Sequence, residues 1–459
     1  MIEYSTEFLS RVQFAFTITF HGVFPTFNIG LGLFLVFWEA KYLYTKSEIY
    51  LKLCQFWSKI FALSFAMGVV SGVVLSYELG ANFSGFTDFS GSVLGPLIMM
   101  ETMSAFFLEA GFLGIMLFGW KKVSPKAHFF STCMVALGTV ISLLWIMSAN
   151  SFMHTPAGFA IEGGRLIANS WLEVIFNPSY VLRSSHMLMA SMISTSFVVM
   201  GISAYYFYKK RDVVYASASF LPALYVAAVL SIGQVILGDF VGIHVMEHQP
   251  VKTAAIEANW TTQSGAPLIL FAIPDMVQEK NHFEIKIPKL ASLINTHSFD
   301  GVLPGLDRVD KKDRPQVGMV FFSFRIMVGI GLLFVLLSFL GLFAIRKQRL
   351  VRHPILLKAY MFTIPLGFVA TTCGWITSEV GRQPWVIYGL MRTRDAVSPI
   401  AVSHVALSLT VIFILYMSFL ATYLFFIVKV IQKGPGHAEE EEVDALGYLI
   451  DAVGAERDS

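Results

Sequence analysis

The stretch that decides the fold is GMVFFSFRIMVGIGLLFVLLSFLGLFA, at residues 318–344. As a helix with a rise of ~1.5 Å per residue, it is long enough to cross the ~30 Å hydrocarbon layer of a bilayer. The chain contains eight more apolar segments of this kind, its mean hydropathy is +0.65, and its charged fraction is 14%. The sequence therefore predicts an all-α, polytopic membrane helical bundle with about nine transmembrane helices. The predicted spans are residues 14–38, 55–78, 95–119, 128–152, 182–208, 216–241, 318–344, 357–378 and 400–429.

Lysine and arginine are concentrated in alternate connections between these spans. The connections after spans 1, 3, 5 and 7 are rich in them, whereas the connection after span 2 has none. By the positive-inside rule, this bias predicts an outer N-terminus and a cytoplasmic C-terminus. The predicted organisation is residues 1–241 with helices 1–6, residues 242–318 as a polar external loop, residues 319–431 with helices 7–9, and residues 432–459 as an acidic cytoplasmic tail.

A second informative stretch is GWITSEVGRQPW, at residues 374–385, where an apolar segment ends in charged residues. It places the carboxylate of Glu379 near the guanidinium of Arg382 at the edge of the bilayer. Charges at such positions are costly and are therefore usually functional. The glycines and the proline predict that the helix ends here and that the chain turns. The structural alternative is that Glu379 only pairs with Arg382.

Five possible metal or proton ligands from five predicted helices fall at one depth near the outer face. Scattered core residues are not expected to share a depth, so this layer indicates a metal or proton-handling site. Each residue alone has a structural explanation, such as a hydrogen-bonding role for a histidine or gap filling for a methionine. His404 also lies at this depth, so depth alone does not select the ligands. The five residues are His21, Glu101, His186, Met327 and Glu379.

Another polar series runs inward from this layer. Glu109 follows Glu101 by eight residues, which places it about 12 Å further along the same helix and on roughly the same side. Ser142 lies in the middle of span 4, and Lys59 lies near the inner end of span 2. Such series of acidic and polar groups are typical of proton paths. The alternative is that Lys59 extends to the interface and that Ser142 bonds its own helix.

Seven motifs are distributed along nearly the whole chain. In order, they are RVQFAFTITFH, METMSAFFLEAGFLG, SANSFMHTPAGF, SSHMLMAS, VKTAAIEANW, FRIMVG and GWITSEVGRQPW. Together they resemble subunit I of the cytochrome bd-type quinol oxidases. The resemblance implies a quinol:oxygen oxidoreductase of the bacterial cytoplasmic membrane. It would oxidise quinol at the outer face, reduce O2 to water with cytoplasmic protons, and so generate a proton motive force.

The resemblance also implies haem ligands. His186 and Met327 are expected to be the axial ligands of a low-spin haem b. His21 and Glu379 are expected to be the proximal ligands of two high-spin haems, one b and one d. Haem b could take the place of haem d, and either of these two sites could bind oxygen.

Further roles follow from the same resemblance. A proton path is expected from Lys59, Glu109, Ser142 and Glu101, and a quinol site from Lys252 and Glu257. Arg382 would neutralise haem propionates or hold Glu379, and Trp375 would pack between haems. The expected partners are a second, non-haem helical subunit and a small third subunit with a single helix, but no nucleic acid. The external loop is short, so the type of quinol and the sensitivity to cyanide stay open.

Two other functions are alternatives at this point: a proton-coupled membrane transporter with Glu101 and Glu109 as coupling sites, and a haem-bearing quinol dehydrogenase without oxygen chemistry. The chain has no clear internal repeat, which argues against an inverted-repeat transporter. It has no adjacent histidine pair, which argues against a copper centre. Its three cysteines form no C-x-x-C or C-x-x-C-H motif, which argues against a c-type haem, zinc and a disulfide framework.

Overall fold

The computed structural model describes residues 5–347 and 349–436. Within these residues, nine helices are long and apolar enough to cross a membrane. The predicted fold class, an all-α membrane bundle, is therefore confirmed. Most of the predicted acidic tail lies outside the described residues. The helices are α1 (Thr6–Thr45), α2 (Glu48–Ala81), α3 (Ser84–Phe118), α4 (Pro125–His154), α5 (Tyr180–Lys209), α6 (Val213–His248), α7 (Val317–Arg346), α8 (Pro354–Phe362 with Leu366–Val380) and α9 (Val402–Lys433).

The helices extend beyond the apolar segments that predicted them. α1 begins at Thr6 instead of residue 14, because the side chain of Ser5 accepts a hydrogen bond from the backbone N–H of Phe8 and caps the helix in polar sequence. α6 continues to His248, seven residues past its predicted end. Hydropathy marks only the apolar part of a helix, whereas backbone hydrogen bonding continues into its polar ends. His21 consequently lies about four turns from the start of α1.

Two spans are irregular. α3 contains a π-helical segment, Glu101–Phe106, between its α-helical parts Ser84–Met100 and Phe107–Phe118. Such segments are rare and frequently occur at functional sites. α8 is interrupted around Pro365, whose ring nitrogen cannot donate a backbone hydrogen bond.

Successive spans run in opposite directions, so the ends of α4, α6 and α8 lie beside the starts of α5 and α7. We call this side of the bundle the cluster end. The connections there contain four two-stranded antiparallel sheets. The strands are β1 (Phe159–Glu162), β2 (Arg165–Ala168), β3 (Gln263–Ser264), β4 (Leu268–Asp275), β5 (Lys280–Ile287), β6 (Val302–Leu303), β7 (Trp385–Ile387) and β8 (Met391–Arg392). The short helices there are Trp171–Ile175, Pro250–Ile256, Leu290–Thr296, Leu306–Arg308, Lys311–Asp313 and Thr393–Ala396, and Leu350–Arg352 lies at the other end.

The spans differ greatly in burial. The most apolar part of α5 is 72% buried inside the bundle, whereas that of α9 is 6% buried. Aromatic side chains fill the core around α5, where Phe197 stacks on Phe334 of α7 with 3.8 Å between ring centroids. The central position of α5 therefore places His186 inside the bundle, and α9 lies at its periphery.

Candidate functional site

Glu379 lies near the end of α8 in a buried network of hydrogen bonds. Its Oε1 accepts from Asn150 Nδ2 at 3.0 Å and from His154 Nε2 at 3.0 Å, and its Oε2 accepts from Arg382. Nη2 of Arg183 lies 3.8 Å from the same carboxylate. Glu379, His154 and Arg382 are 9%, 2% and 4% exposed. Because water is excluded, these bonds hold the carboxylate in one orientation.

His154 joins this network to the connection between α6 and α7. Its Nδ1 lies 3.1 Å from Nζ of Lys252, and its backbone oxygen accepts from Gln249 Nε2 at 2.7 Å. A carboxylate can only accept and an ammonium group can only donate, so Nε2 of His154 carries the proton and Nδ1 accepts. Lys252, neutral His154 and Glu379 therefore form a continuous hydrogen-bonded chain.

The network contains more positive than negative charge. The cationic side chains of Arg183, Lys252 and Arg382 surround the single carboxylate of Glu379. Burial and the two guanidinium groups lower the pKa of Lys252. Nε of Arg183 and both Nε and Nη1 of Arg382 are buried with no hydrogen-bond partner among the described residues. Unsatisfied N–H donors on buried cations are suited to an anionic group such as a haem propionate.

The short helix Pro250–Ile256 and its C-terminal cap contact two different spans. Lys252 points to the network at the ends of α4 and α8. Glu257, which is 4% exposed, instead accepts a hydrogen bond from Arg325 Nη2 of α7 at 2.8 Å. Arg325 lies two residues before Met327. The two predicted quinol-site residues thus connect to different candidate haem ligands, Lys252 to Glu379 and Glu257 to the helix of Met327.

His21 is held in one ring orientation. Its Nδ1 lies 3.0 Å from Oγ of Ser71 on α2, and that hydroxyl donates to the backbone oxygen of Met67 at 2.7 Å. Ser71 therefore accepts from His21, so Nδ1 carries the proton and Nε2 keeps its lone pair for a metal. Gly72 lies under the ring, where a Cβ would come within 3.1 Å of Cε1.

His186 and Met327 each lie next to a glycine of a neighbouring span. Nδ1 of His186 is buried and has no partner among the described residues, and a Cβ on Gly238 would lie 3.8 Å from the ring. The sulfur of Met327 packs on Gly374, where a Cβ would lie 2.8 Å from it. A ring nitrogen without a protein partner and a thioether in a niche of small residues suit the axial ligation of a haem.

The two predicted proton-path carboxylates of α3, Glu101 and Glu109, face one side of α4. Ser142 Oγ donates to Glu101 Oε1 at 2.7 Å. Glu109 is 7% exposed, and its side chain packs on Gly138, one turn before Ser142. Lys59 is exposed and forms no hydrogen bond or ion pair within the described part of the chain. The structure therefore brings together three of the four predicted proton-path residues and leaves Lys59 apart.

Two further residues singled out in the sequence are Trp375 and His404. Trp375 is half-buried, with its ring centroid 6.3 Å from that of Phe14. His404 is exposed at the start of α9, away from the network.

Sequence reasoning missed a buried pair, Glu39 and His128, whose Oε1 and Nδ1 are 2.6 Å apart. The signal that could have identified this pair is a carboxylate directly after predicted span 1 and a histidine at the first residue of predicted span 4.

Sequence reasoning also missed the groups that hold Glu379 and Glu257. His154 lies in the motif SANSFMHTPAGF, and Asn150 lies one turn before it. Arg183 precedes His186 by three residues, and so lies on the same side of α5. Arg325 belongs to the motif FRIMVG. Arg183 and Arg325 were visible as polar residues close to predicted ligands, whereas His154 and Asn150 lie far in sequence from all of them. In each case the partner came from a distant part of the chain.

The model of the cytochrome bd terminal oxidase subunit I family matches residues 9–435. The chain belongs to this family. It is 35% identical over 447 residues to the cytochrome bd ubiquinol oxidase subunit 1 of Bacillus subtilis (strain 168), covering 95% of each chain. It is 32% identical, over an alignment 502 positions long, to the cytochrome bd-II ubiquinol oxidase subunit 1 of Escherichia coli (strain K12), and the alignment covers 95% of this chain and 98% of that one. The solved bd oxidase from Geobacillus thermodenitrificans matches with a TM-score of 0.88 at 28% identity, covering 95% of this chain and 100% of that one.

As a cytochrome bd subunit I, the chain is a multi-pass membrane protein and part of a terminal respiratory oxidase. These matches favour the oxidase over the transporter and the quinol dehydrogenase. The family implies haem cofactors, and the residues present fit them. The hydrogen bonds to Glu379 use three of about four lone-pair positions on its carboxylate, so one position is left for iron. The unpartnered nitrogen of His186 and the unsatisfied donors of Arg183 and Arg382 fit a ligated haem with propionates.

Proposed function

We propose that this chain is the haem-bearing subunit that oxidises quinol at the outer face and passes the electrons to O2, which is reduced to water. The observation that carries this proposal is the buried hydrogen-bonded chain from Lys252 through His154 to Glu379, which links the external connection to a candidate iron ligand. The names of the two curated relatives, both ubiquinol oxidases, support quinol as the substrate. The bound haems would supply the electron transfer and the oxygen chemistry without copper.

The proposed haem-binding residues fall into three sets. His186 and Met327 would hold a low-spin haem b. His21 would hold one high-spin haem and Glu379 another, of which one is a haem b and one a haem d or a second haem b. Arg382 and Arg183 would donate their unsatisfied N–H groups to propionates. Trp375, near the end of α8, would pack against a haem face.

Quinol would bind between Lys252 and Glu257. Lys252 donates towards His154 and can also donate to a quinol oxygen, because an ammonium group has three N–H donors. Burial and the two guanidinium groups, which lower the pKa of Lys252, make its ammonium group a stronger hydrogen-bond donor to that oxygen. Glu257 is held by Arg325 at 2.8 Å and would accept a quinol proton or position the ring.

The protons for oxygen reduction would come from the opposite side along α3 and α4. Glu109 lies on the Gly138 face of α4, and the Ser142 hydroxyl one turn further on bonds Glu101. A hydroxyl can both donate and accept, so it can pass a proton to Glu101. Lys59 is the proposed start of this path on the cytoplasmic side. Uptake on one side and release of quinol protons on the other would generate the proton motive force.

The periphery of the bundle supports the proposed partners. The most apolar part of α9 is only 6% buried, and its exposed face includes Leu407, Phe413 and Phe425. A second, non-haem helical subunit would cover this side in the bacterial cytoplasmic membrane, and a small single-helix subunit would join them. Lipid would cover the rest.

The reduced-minus-oxidised spectrum of the purified protein tests the proposal. We expect bands of low-spin haem b and a component that reacts with carbon monoxide. A band in the far red would identify haem d. The absence of haem bands would exclude the oxidase function, and haem b without a component that reacts with carbon monoxide would favour a quinol dehydrogenase.

Replacing Lys252 tests the quinol site. We expect Lys252→Met to lower kcat/KM for quinol roughly 10- to 100-fold, because a hydrogen bond to a charged group contributes about 1.5–3 kcal/mol. Haem content should be unchanged, since methionine preserves most of the volume of the side chain. The measurements are quinol-dependent oxygen uptake and the haem spectrum of the same sample.

Lys280→Met is the matched control, because Lys280 is an exposed lysine in the same connection and should leave both quantities unchanged. Loss of all haem in Lys252→Met would instead assign Lys252 a structural role.

A further inference from the structure

The last turn of α6 contains the sequence HVMEH, at residues 244–248, which has the order H-x-x-E-H. One ligand atom from each of His244, Glu247 and His248 can be chosen so that all three lie within 4.8 Å of one another. Two histidines four residues apart on one helix face are a recurrent zinc-binding arrangement. We propose that these three residues form a site for Zn²⁺ at the cluster end of the bundle.

The hydrogen bonds of the two imidazoles prepare them as ligands. Nδ1 of His248 lies 3.0 Å from the backbone oxygen of His244, so it carries the proton and leaves Nε2 free for a metal. Nε2 of His244 lies 2.9 Å from Oγ of Ser179, and in the tautomer whose Nε2–H donates to this hydroxyl, Nδ1 is the available atom. The two rings are stacked, with 4.0 Å between their centroids. Bonds of this kind, from the second ring nitrogen to the protein, orient the histidines of metal sites.

Glu247 completes the ligand set. Its side chain is exposed, and no described residue forms a hydrogen bond or ion pair with its carboxylate. Two imidazoles and a carboxylate suit Zn²⁺, whereas Mg²⁺ and Ca²⁺ prefer oxygen ligands only. Water would take the fourth tetrahedral position. Arg183 and Lys252 line the adjoining pocket and oppose a cation, so the affinity should be lower than that of a structural site with four protein ligands.

Because of its position, an ion bound at the site would also affect quinol oxidation, and this effect rests on the proposed quinol site. His244 and His248 line one pocket together with Gln249 and Lys252. An ion bound there would restrain the last turn of α6 at the mouth of this pocket and add positive charge beside Lys252. Zn²⁺ should therefore inhibit quinol oxidation reversibly.

Ion binding is tested without reference to activity. The intact oxidase complex, purified without a polyhistidine tag, is dialysed against Zn²⁺ and its metal content measured by elemental analysis. We expect the unmodified complex to bind one Zn²⁺ more per chain than His248→Gln, and Glu247→Gln to bind with weaker affinity. Excess Mg²⁺ should not displace the ion. Because His248 and Glu247 are exposed, both variants should fold, and their haem spectra check this.

His297→Gln is the matched control, since His297 is an exposed histidine of the same connection, bonded to Asp239 outside the site. It should bind as much Zn²⁺ as the unmodified complex. Equal zinc content in the unmodified complex and in His248→Gln would overturn the site.

The second measurement is quinol-dependent oxygen uptake with increasing Zn²⁺. Activity should fall in the unmodified complex, return on chelation, and resist Zn²⁺ in His248→Gln. Zinc bound at the site without any inhibition would overturn the regulatory consequence. A complex that shows no quinol oxidation even without Zn²⁺ would overturn the proposed function. The zinc content measured by elemental analysis would then still decide whether the ion site exists.

Discussion

Met327→Leu is expected to remove the low-spin haem b signature of the oxidase while the bundle stays folded. Leucine has a similar volume but no sulfur lone pair, and swaps of this kind usually cost less than about 1.5 kcal/mol of stability. The niche formed by Gly374 would still accommodate the side chain. Quinol oxidation should fall together with the signature, because this haem is the proposed first electron acceptor. The measurement is the reduced-minus-oxidised spectrum of the purified variant.

Met319→Leu provides the control, because Met319 lies on the same helix but is 55% exposed. Its spectrum should match that of the unmodified protein. A low-spin spectrum that survives in Met327→Leu would refute Met327 as a ligand.

Glu109→Gln is expected to lower oxygen-reducing turnover roughly 100-fold, the scale of a lost proton-transfer group. The amide keeps the shape that packs on Gly138, so haem content and spectra should not change. Glu109→Ala should have the same effect on turnover. The measurement is quinol-driven oxygen uptake in proteoliposomes, together with the accompanying change in internal pH.

Glu173→Gln is the comparison variant, since Glu173 is an exposed carboxylate in the short helix Trp171–Ile175. Its turnover should be normal. If Glu109→Gln or Glu109→Ala retained full turnover, the proposed proton path through α3 and α4 would be wrong.

The number and order of the spans could be predicted because each helix must carry its own apolar surface in a bilayer. The ends of the helices could not be predicted, since backbone hydrogen bonding continues beyond the apolar part of each segment. The last turn of α6 shows this, because His244 and His248 lie past the predicted end at residue 241. The π-helical segment of α3 was also missed, because an i→i+5 pattern leaves no distinct signal in apolar sequence.

The candidate site was partly predictable. The charged end of α8 identified Glu379, but His154 and Lys252, which complete its network, are 98 residues apart in the chain. Only tertiary packing brings them together. Lys252 and Glu257 were predicted as one site, yet five residues on a helix turn their side chains about 140° apart. That angle explains why one contacts α4 and the other contacts α7.

The π-helical segment Glu101–Phe106 makes the length of α3 part of its chemistry. Each hydrogen bond there spans five residues instead of four, so the segment accommodates an additional residue. Deleting one residue there would close the segment into regular α-helix and leave the residues after it in register. Glu109 would still pack on Gly138 and Glu101 would keep its place at Ser142, because positions seven apart share one face of an unbroken α-helix. The spacing of the two carboxylates is therefore a matter of counting as well as of residue type, and a family member one residue shorter here could present both acids from an unbroken helix.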